Sequence, residues 1–206
     1  MGVRYKQYCS NIVRTLLVNP TEEQKSLYEF LVELHESVCE KLQDGIRLSD
    51  VYQHAVDMVS KRDKKLVEKM TKNIGFAMGL EFREGSLLLA PKSNSIAKKG
   101  MVFNVAIGFS GLVNPSASDP EGKQYALFIA DTVVVNEGTA ATVLTQSKKR
   151  LKNIAIIIKD EEEESEEEDV KPDIITEDLG TRGNRRTALV DNKLRVSLNS
   201  FSIELI

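Results

Sequence analysis

The chain has no tryptophan, only two histidines and only two cysteines in 206 residues. Cys9 and Cys39 form no CxxC pair and are too few for a disulfide framework, so they read as reduced intracellular thiols. A lone buried cysteine is more often a packing residue than a nucleophile. No apolar run approaches the roughly 20 residues that cross a bilayer. The longest conspicuous one is residues 154–158, and residues 1–8 show no apolar secretory core. His35 and His54 are the whole imidazole supply. Both fall in a helical stretch, where they are expected at the exposed or half-exposed surface. Neither accompanies a serine or cysteine in a way that would build a nucleophilic triad.

What is present is ordinary in amount and uneven in placement. Apolar residues make up 41% and charged residues 29%, typical of a globular chain long enough for one or two domains. The net charge of −3 hides an asymmetry, because nine of the ten residues 160–169 are Asp or Glu, with Ser165 the interruption. Without that tract, 22 acidic residues face 28 Lys and Arg, a balance of +6. Such an acidic block repels itself and buries nothing, so a disordered spacer is expected there. A sharper role is mimicry of the DNA backbone toward basic proteins. Ser165, followed by Glu166, Glu167 and Glu168, suits an acid-seeking kinase. The basic clusters at 61–65 and 148–152 carry no interleaved aromatics, which favours solvated surface over a nucleic-acid platform.

Periodicity divides the chain in two. Residues 2–18 read as strand material up to the Asn19-Pro20 break. Thr21 and Gln24 then make a capping-box pattern, and Leu27, Leu31, Leu34, Val38 and Leu42 recur at helical spacing until Asp44-Gly45. A second helix is expected from Ser49, presenting Tyr52, Ala55, Val56 and Val59, and a third over about 63–72. After Gly75 the pattern turns to strands. Met101, Phe103, Val105, Ile107 and Phe109 alternate with Val102, Asn104, Ala106 and Gly108, the period of a half-buried strand. Residues 125–135 read as a strand pair or one long bent strand, and 140–145 with 154–158 complete the set. Helices followed by antiparallel-type strands predict an α+β layer architecture. The folded part is expected to end near Lys159, giving a domain at 1–159 and an acidic linker and tail at 160–206.

Four windows carry a more specific message: Ser10-Asn11-Ile12-Val13-Arg14-Thr15, residues 75–84, residues 100–108, and Ile129-Ala130-Asp131-Thr132. In this order they resemble the second half of the pita-bread fold shared by methionine aminopeptidase, prolidase, aminopeptidase P and creatinase. The resemblance implies a pair of divalent ions held by an aspartate, a histidine and two glutamates at positions that here are Asn11, Phe76, Ala106 and Ala130. It implies a further aspartate falling before Met1, and a catalytic histidine where Arg83 stands. A phenyl ring and two methyl groups have no lone pairs to offer, and Asn11 is a neutral amide. Arginine is a permanent cation and cannot act as a base. Alternation puts Asn104 and Ala106 on one side of their strand and sends Asp131 to the face opposite Ala130, so Asp131 does not restore the site. The expectation is a peptidase frame without catalytic residues, metal or other cofactor.

Longer stretches sharpen the resemblance: residues 8–16, 79–87, 98–103 and 125–133, with an acidic tract after the last strand. They look like the peptidase-like domain family found in the large subunit of the FACT histone chaperone, over about residues 2–159 and more weakly over 182–189. That resemblance implies a partial pita-bread domain that binds histones without catalysis. It implies nucleosome reorganisation in transcription, DNA replication and repair, in the nucleus and on the chromosome. The implied partners are histones, the HMG-box subunit of FACT and, indirectly, nucleosomal DNA, with no membrane. No histone-binding residue is assigned. The alternatives are a metal-dependent aminopeptidase completed in another way, or a truncated, non-functional peptidase-like binding protein. The pita-bread core would have an earlier half and a further lobe before residue 1, and residues 197–206 do not resemble the FACT continuation. Unpaired strand edges would then favour poor solubility.

Overall fold

In the computed structural model, residues 1–117 and 120–158 are described. The acidic tract at 160–169, Ser165 and the tail beyond lie outside the described residues. The N-terminal strand material is a hairpin, β1 (Gly2–Tyr5) against β2 (Tyr8–Asn11), turned at Lys6 and Gln7 with φ of 44° and 70°. A short β3 (Leu17–Val18) follows.

Helix α1 (Glu22–Lys41) begins where the capping pattern places it. The Gln24 N–H donates to Thr21 Oγ1 at 3.3 Å, and the Thr21 N–H donates to Gln24 Oε1 at 2.9 Å. These two bonds satisfy donors that a helix start otherwise leaves open. Helix α2 (Leu48–Arg62) buries Leu48, Val51, Ala55 and Val59, while Tyr52 and Val56 are only partly buried. Asp63 then ends α2 and starts α3 (Lys64–Lys69), its carboxylate accepting the Lys65 N–H at 2.8 Å.

The main sheet has the order β4 (Gly75–Ala77), β5 (Val102–Val113), β6 (Gln124–Val134), β7 (Thr142–Val143), all antiparallel. Residues 125–135 therefore form one long strand rather than a pair. Val13 extends the sheet beside β6, exchanging backbone hydrogen bonds with Ala130 at 3.0 and 3.1 Å. The last segment differs from the expected strand. A single helical turn, α4 (Leu151–Ile154), precedes β8 (Ala155–Ile156), which pairs in parallel with β3.

Helix α1 packs on β5 and β6, with the Phe30 and Phe109 rings stacked 6.4 Å apart. Phe103, Val105, Ile107, Ile129 and Val133 form the core on that side. The other face of β5 is not half-exposed, as alternation alone suggests. Asn104, Ala106 and Gly108 are buried too. They are small or polar, and in register Asn104 lies between Phe76 and Thr132, Ala106 opposite Ala130, and Gly108 opposite Phe128.

Two substitutions separate local from tertiary support. Thr21→Ala should cost about 1 kcal/mol by loss of the cap. Gly108→Ala should cost about 3 kcal/mol or more, because a Cβ there would collide with the Phe128 ring and lie 2.5 Å from the Leu127 carbonyl oxygen. Urea unfolding of the two variants checks the order.

Candidate functional site

The sheet register brings the four windows together. Across β4, β5 and β6 one row runs Phe76, Asn104, Thr132, and Asn11 joins it from the end of β2. The Asn11 N–H donates to Thr132 Oγ1 at 2.9 Å, and that hydroxyl donates to the Asn11 carbonyl at 2.9 Å. The next row runs Ala106, Ala130, Val13. Paired residues of antiparallel strands project to the same side, so Asn11, Phe76, Ala106 and Ala130 belong to one surface. Residues 119 positions apart in sequence, Asn11 and Ala130, meet there because Val13 docks on β6.

The chemistry of that surface is neutral at its centre. The contributing groups are a phenyl ring, two methyl groups, two amides and a hydroxyl, with the Met78 thioether 3.8 Å from Thr132 Oγ1. Asn104 Oδ1 is buried with no hydrogen-bond donor among the described residues. Arg83 places its guanidinium over the Phe76 ring at 5.3 Å, and Phe82 meets the same ring edge-on at 5.5 Å. A cation against the ring repels a further cation. No group of three or more His, Cys, Asp or Glu is gathered to hold an ion among the described residues. This donor set does not fit a pair of divalent ions, which needs carboxylates to bridge and neutralise them.

Asp131 lies on the opposite face, opposite Val105 and fully buried. Its Oδ1 accepts from Arg14 Nη2 at 2.7 Å and from Thr145 Oγ1 at 2.6 Å. Arg14 also donates to the Val13, Ala130 and Ser147 carbonyls at 2.8, 2.9 and 3.1 Å. His35 of α1 belongs to this cluster and is wholly buried, not at the helix surface as expected. The reason is visible in hindsight: Tyr28, Leu31, His35, Val38 and Leu42 are spaced by three or four, and that stripe faces the sheet. His54 is half-buried, bonded to Ser37 Oγ at 2.8 Å.

The protonation of His35 follows from its neighbours. Lys149 Nζ, which can only donate, sits 3.3 Å from Nδ1, so Nδ1 accepts. The ring proton is then on Nε2, 3.6 Å from Asp131 Oδ2. Burial, reinforced by the Lys149 charge, holds the His35 pKa down at about 4. Burial likewise pushes the Cys39 thiol up to about 12, which makes it inert packing. The sequence pattern assigns neither Thr132 nor His35 a part in the site. Thr132 carried only its place beside Asp131, and His35 only its helical phase.

The unfolded chain takes a proton on His35 near pH 6.5 and the folded chain near pH 4. Stability should therefore be full above about 6.5 and fall by on the order of 2–3 kcal/mol as pH drops toward 4. Thermal unfolding of the native chain and of His35→Gln across this range checks it; the variant should lose this part of the slope. Asp131→Asn should cost about 3–5 kcal/mol at neutral pH, because it strands the Arg14 charge.

Comparison with known proteins agrees with this geometry. The pattern of metallopeptidase family M24 matches residues 1–137. FACT complex subunit SPT16 of Oryza sativa subsp. japonica is 42% identical over 161 residues, which is 78% of this chain and 15% of that protein. The chain thus spans about 15% of the length of the curated relatives it matches. The solved N-terminal domain of FACT complex subunit SPT16 from Eremothecium gossypii superposes with a TM-score of 0.71 at 36% identity, covering 76% of this chain and 35% of that one. Prolidase from Pyrococcus furiosus superposes at 0.61 with 25% identity, covering 72% and 40%. The chain belongs to metallopeptidase family M24, and within that pita-bread fold it is similar to the N-terminal domain of FACT complex subunit SPT16.

Proposed function

We propose that this domain is a non-catalytic histone-binding module of a FACT-type histone chaperone. The observation that carries the reading is Ala106 facing Ala130, with Phe76 and Asn11 alongside, at positions where the resemblance to the pita-bread metallopeptidases implies acids and a histidine. A surface built for an extended peptide can keep its walls after losing its ions. Here those walls are amide, aromatic and methyl, so they can hold a partner and have no group with which to activate water. In this reading the partners are histones and, with them, the HMG-box subunit of FACT; the similarity to FACT complex subunit SPT16 supports it. The setting is nucleosome reorganisation during transcription, replication and repair, in the nucleus and on chromosomes. Residues 1–159 form the partial domain in this reading, and 160–206 the acidic linker and tail.

The test is a pull-down of purified core histones with the full chain and with a chain lacking residues 160–169. Retention of histones by the full chain supports the module. Loss only on deletion assigns the contact to the acidic tract. No retention by either chain overturns the proposal. In parallel, elemental analysis and a peptidase assay with added cobalt or manganese should give no stoichiometric metal and no turnover; metal with turnover would make the protein an aminopeptidase.

A further inference from the structure

Apart from Asn11, Phe76, Ala106 and Ala130, the structure holds a groove of about 450 Å³ between the start of α1, the α2–α3 junction and the far ends of β5 and β6. Leu27, Leu66, Leu112 and Tyr125 line it, and Val113 is 56% exposed on its wall. A bulge between Phe109 and Leu112, with Gly111 at φ 64°, bends the strands there. The polar lining is Ser26, Arg62, Lys65 and Lys69, with Glu23 and Asp63 as the two acids.

Three cations and two acids line the groove, and the segment that supplies most of its polar lining is basic. Residues 61–72 contain Lys61, Arg62, Lys64, Lys65, Lys69 and Lys72 against Asp63 and Glu68, and Lys123 adds a cation beside the start of β6. Among the described residues none of these seven cations makes an ion pair. The other basic cluster differs, since Glu36 lies 3.6 Å from Lys149 and 3.3 Å from Arg150. Arg62 is held in place by Ser26 Oγ at 2.9 Å and by the Phe30 ring at 4.7 Å, so its charge is fixed at the rim. Asp63 already caps α3.

We propose that this groove docks an acidic peptide segment. One bulky apolar side chain of the partner seats against Leu66, Leu112 and Val113, and its flanking carboxylates meet Arg62, Lys65 and Lys69. Charge complementarity selects the acidic partner, and the apolar wall selects peptide over nucleic acid. A phosphate backbone would use the cations and leave Val113 unused, and Tyr125 alone is no stacking platform. The inference does not depend on the histone-binding reading, which concerns a different surface and a basic partner.

The test is fluorescence anisotropy of the full chain with a labelled synthetic peptide of aspartate and glutamate around one leucine. Saturable binding is expected, weakened by added salt. Replacing the leucine by serine, Val113→Ser, and the double variant Lys65→Glu with Lys69→Glu should each weaken it about tenfold. Far-ultraviolet circular dichroism should show all variants folded, since their side chains reach solvent. No saturable binding, or equal affinity for the leucine and serine peptides, overturns the proposal. So does tighter binding of duplex DNA that charge reversal abolishes and Val113→Ser leaves untouched, which would make the groove a nucleic-acid surface.

Discussion

The ion pair between Arg14 and Asp131 is the constraint around which the described domain is assembled. One guanidinium reaches a carboxylate on β6 and the carbonyls of Val13, Ala130 and Ser147, so it ties the N-terminal segment, the sheet and the loop after β7 to one point. Asp131 is wholly buried and Arg14 only 11% exposed, and the net worth of such a pair against an apolar replacement is small. Its effect is positional. The guanidinium that meets the buried Asp131 also donates to the Val13 and Ala130 carbonyls, which holds Val13 against Ala130.

That docking creates the candidate site on the reverse of the same strand. Ala130 and Asp131 are adjacent in sequence and project to opposite faces. One face has a wholly buried acid, a neutral histidine and a lysine within reach of one another. The other presents methyl, phenyl and amide groups. The charge needed to hold the fold lies behind the sheet and is unavailable in front of it.

Much of this was legible in the chain itself. The Thr21–Gln24 box, the apolar stripe of α1 and the alternation along residues 101–109 are local patterns, and local hydrogen bonding and side-chain period realise them directly. The four windows were readable because residue type and order within each is a short-range property. His35 was misplaced because a polar residue within an amphipathic helix is ordinarily turned outward. The buried ring is accommodated because Nδ1 accepts from Lys149 Nζ at 3.3 Å, with Asp131 3.6 Å from Nε2. The expected strand at 154–158 shrank to two residues because β-branched residues need a partner strand, and β3 offers only Leu17 and Val18.

Sequence by itself determined the chemistry at each position: which residues can ligate, which can only pack, and where helix gives way to strand. Tertiary structure decided adjacency. That Asn11 stands beside Thr132, that Ala106 faces Ala130, and that Arg62, Lys65 and Lys69 line one groove with Leu112 and Val113 depends on strand register and helix docking. Both are set by burying apolar area and matching hydrogen bonds between segments far apart in the chain, and no local window contains that information.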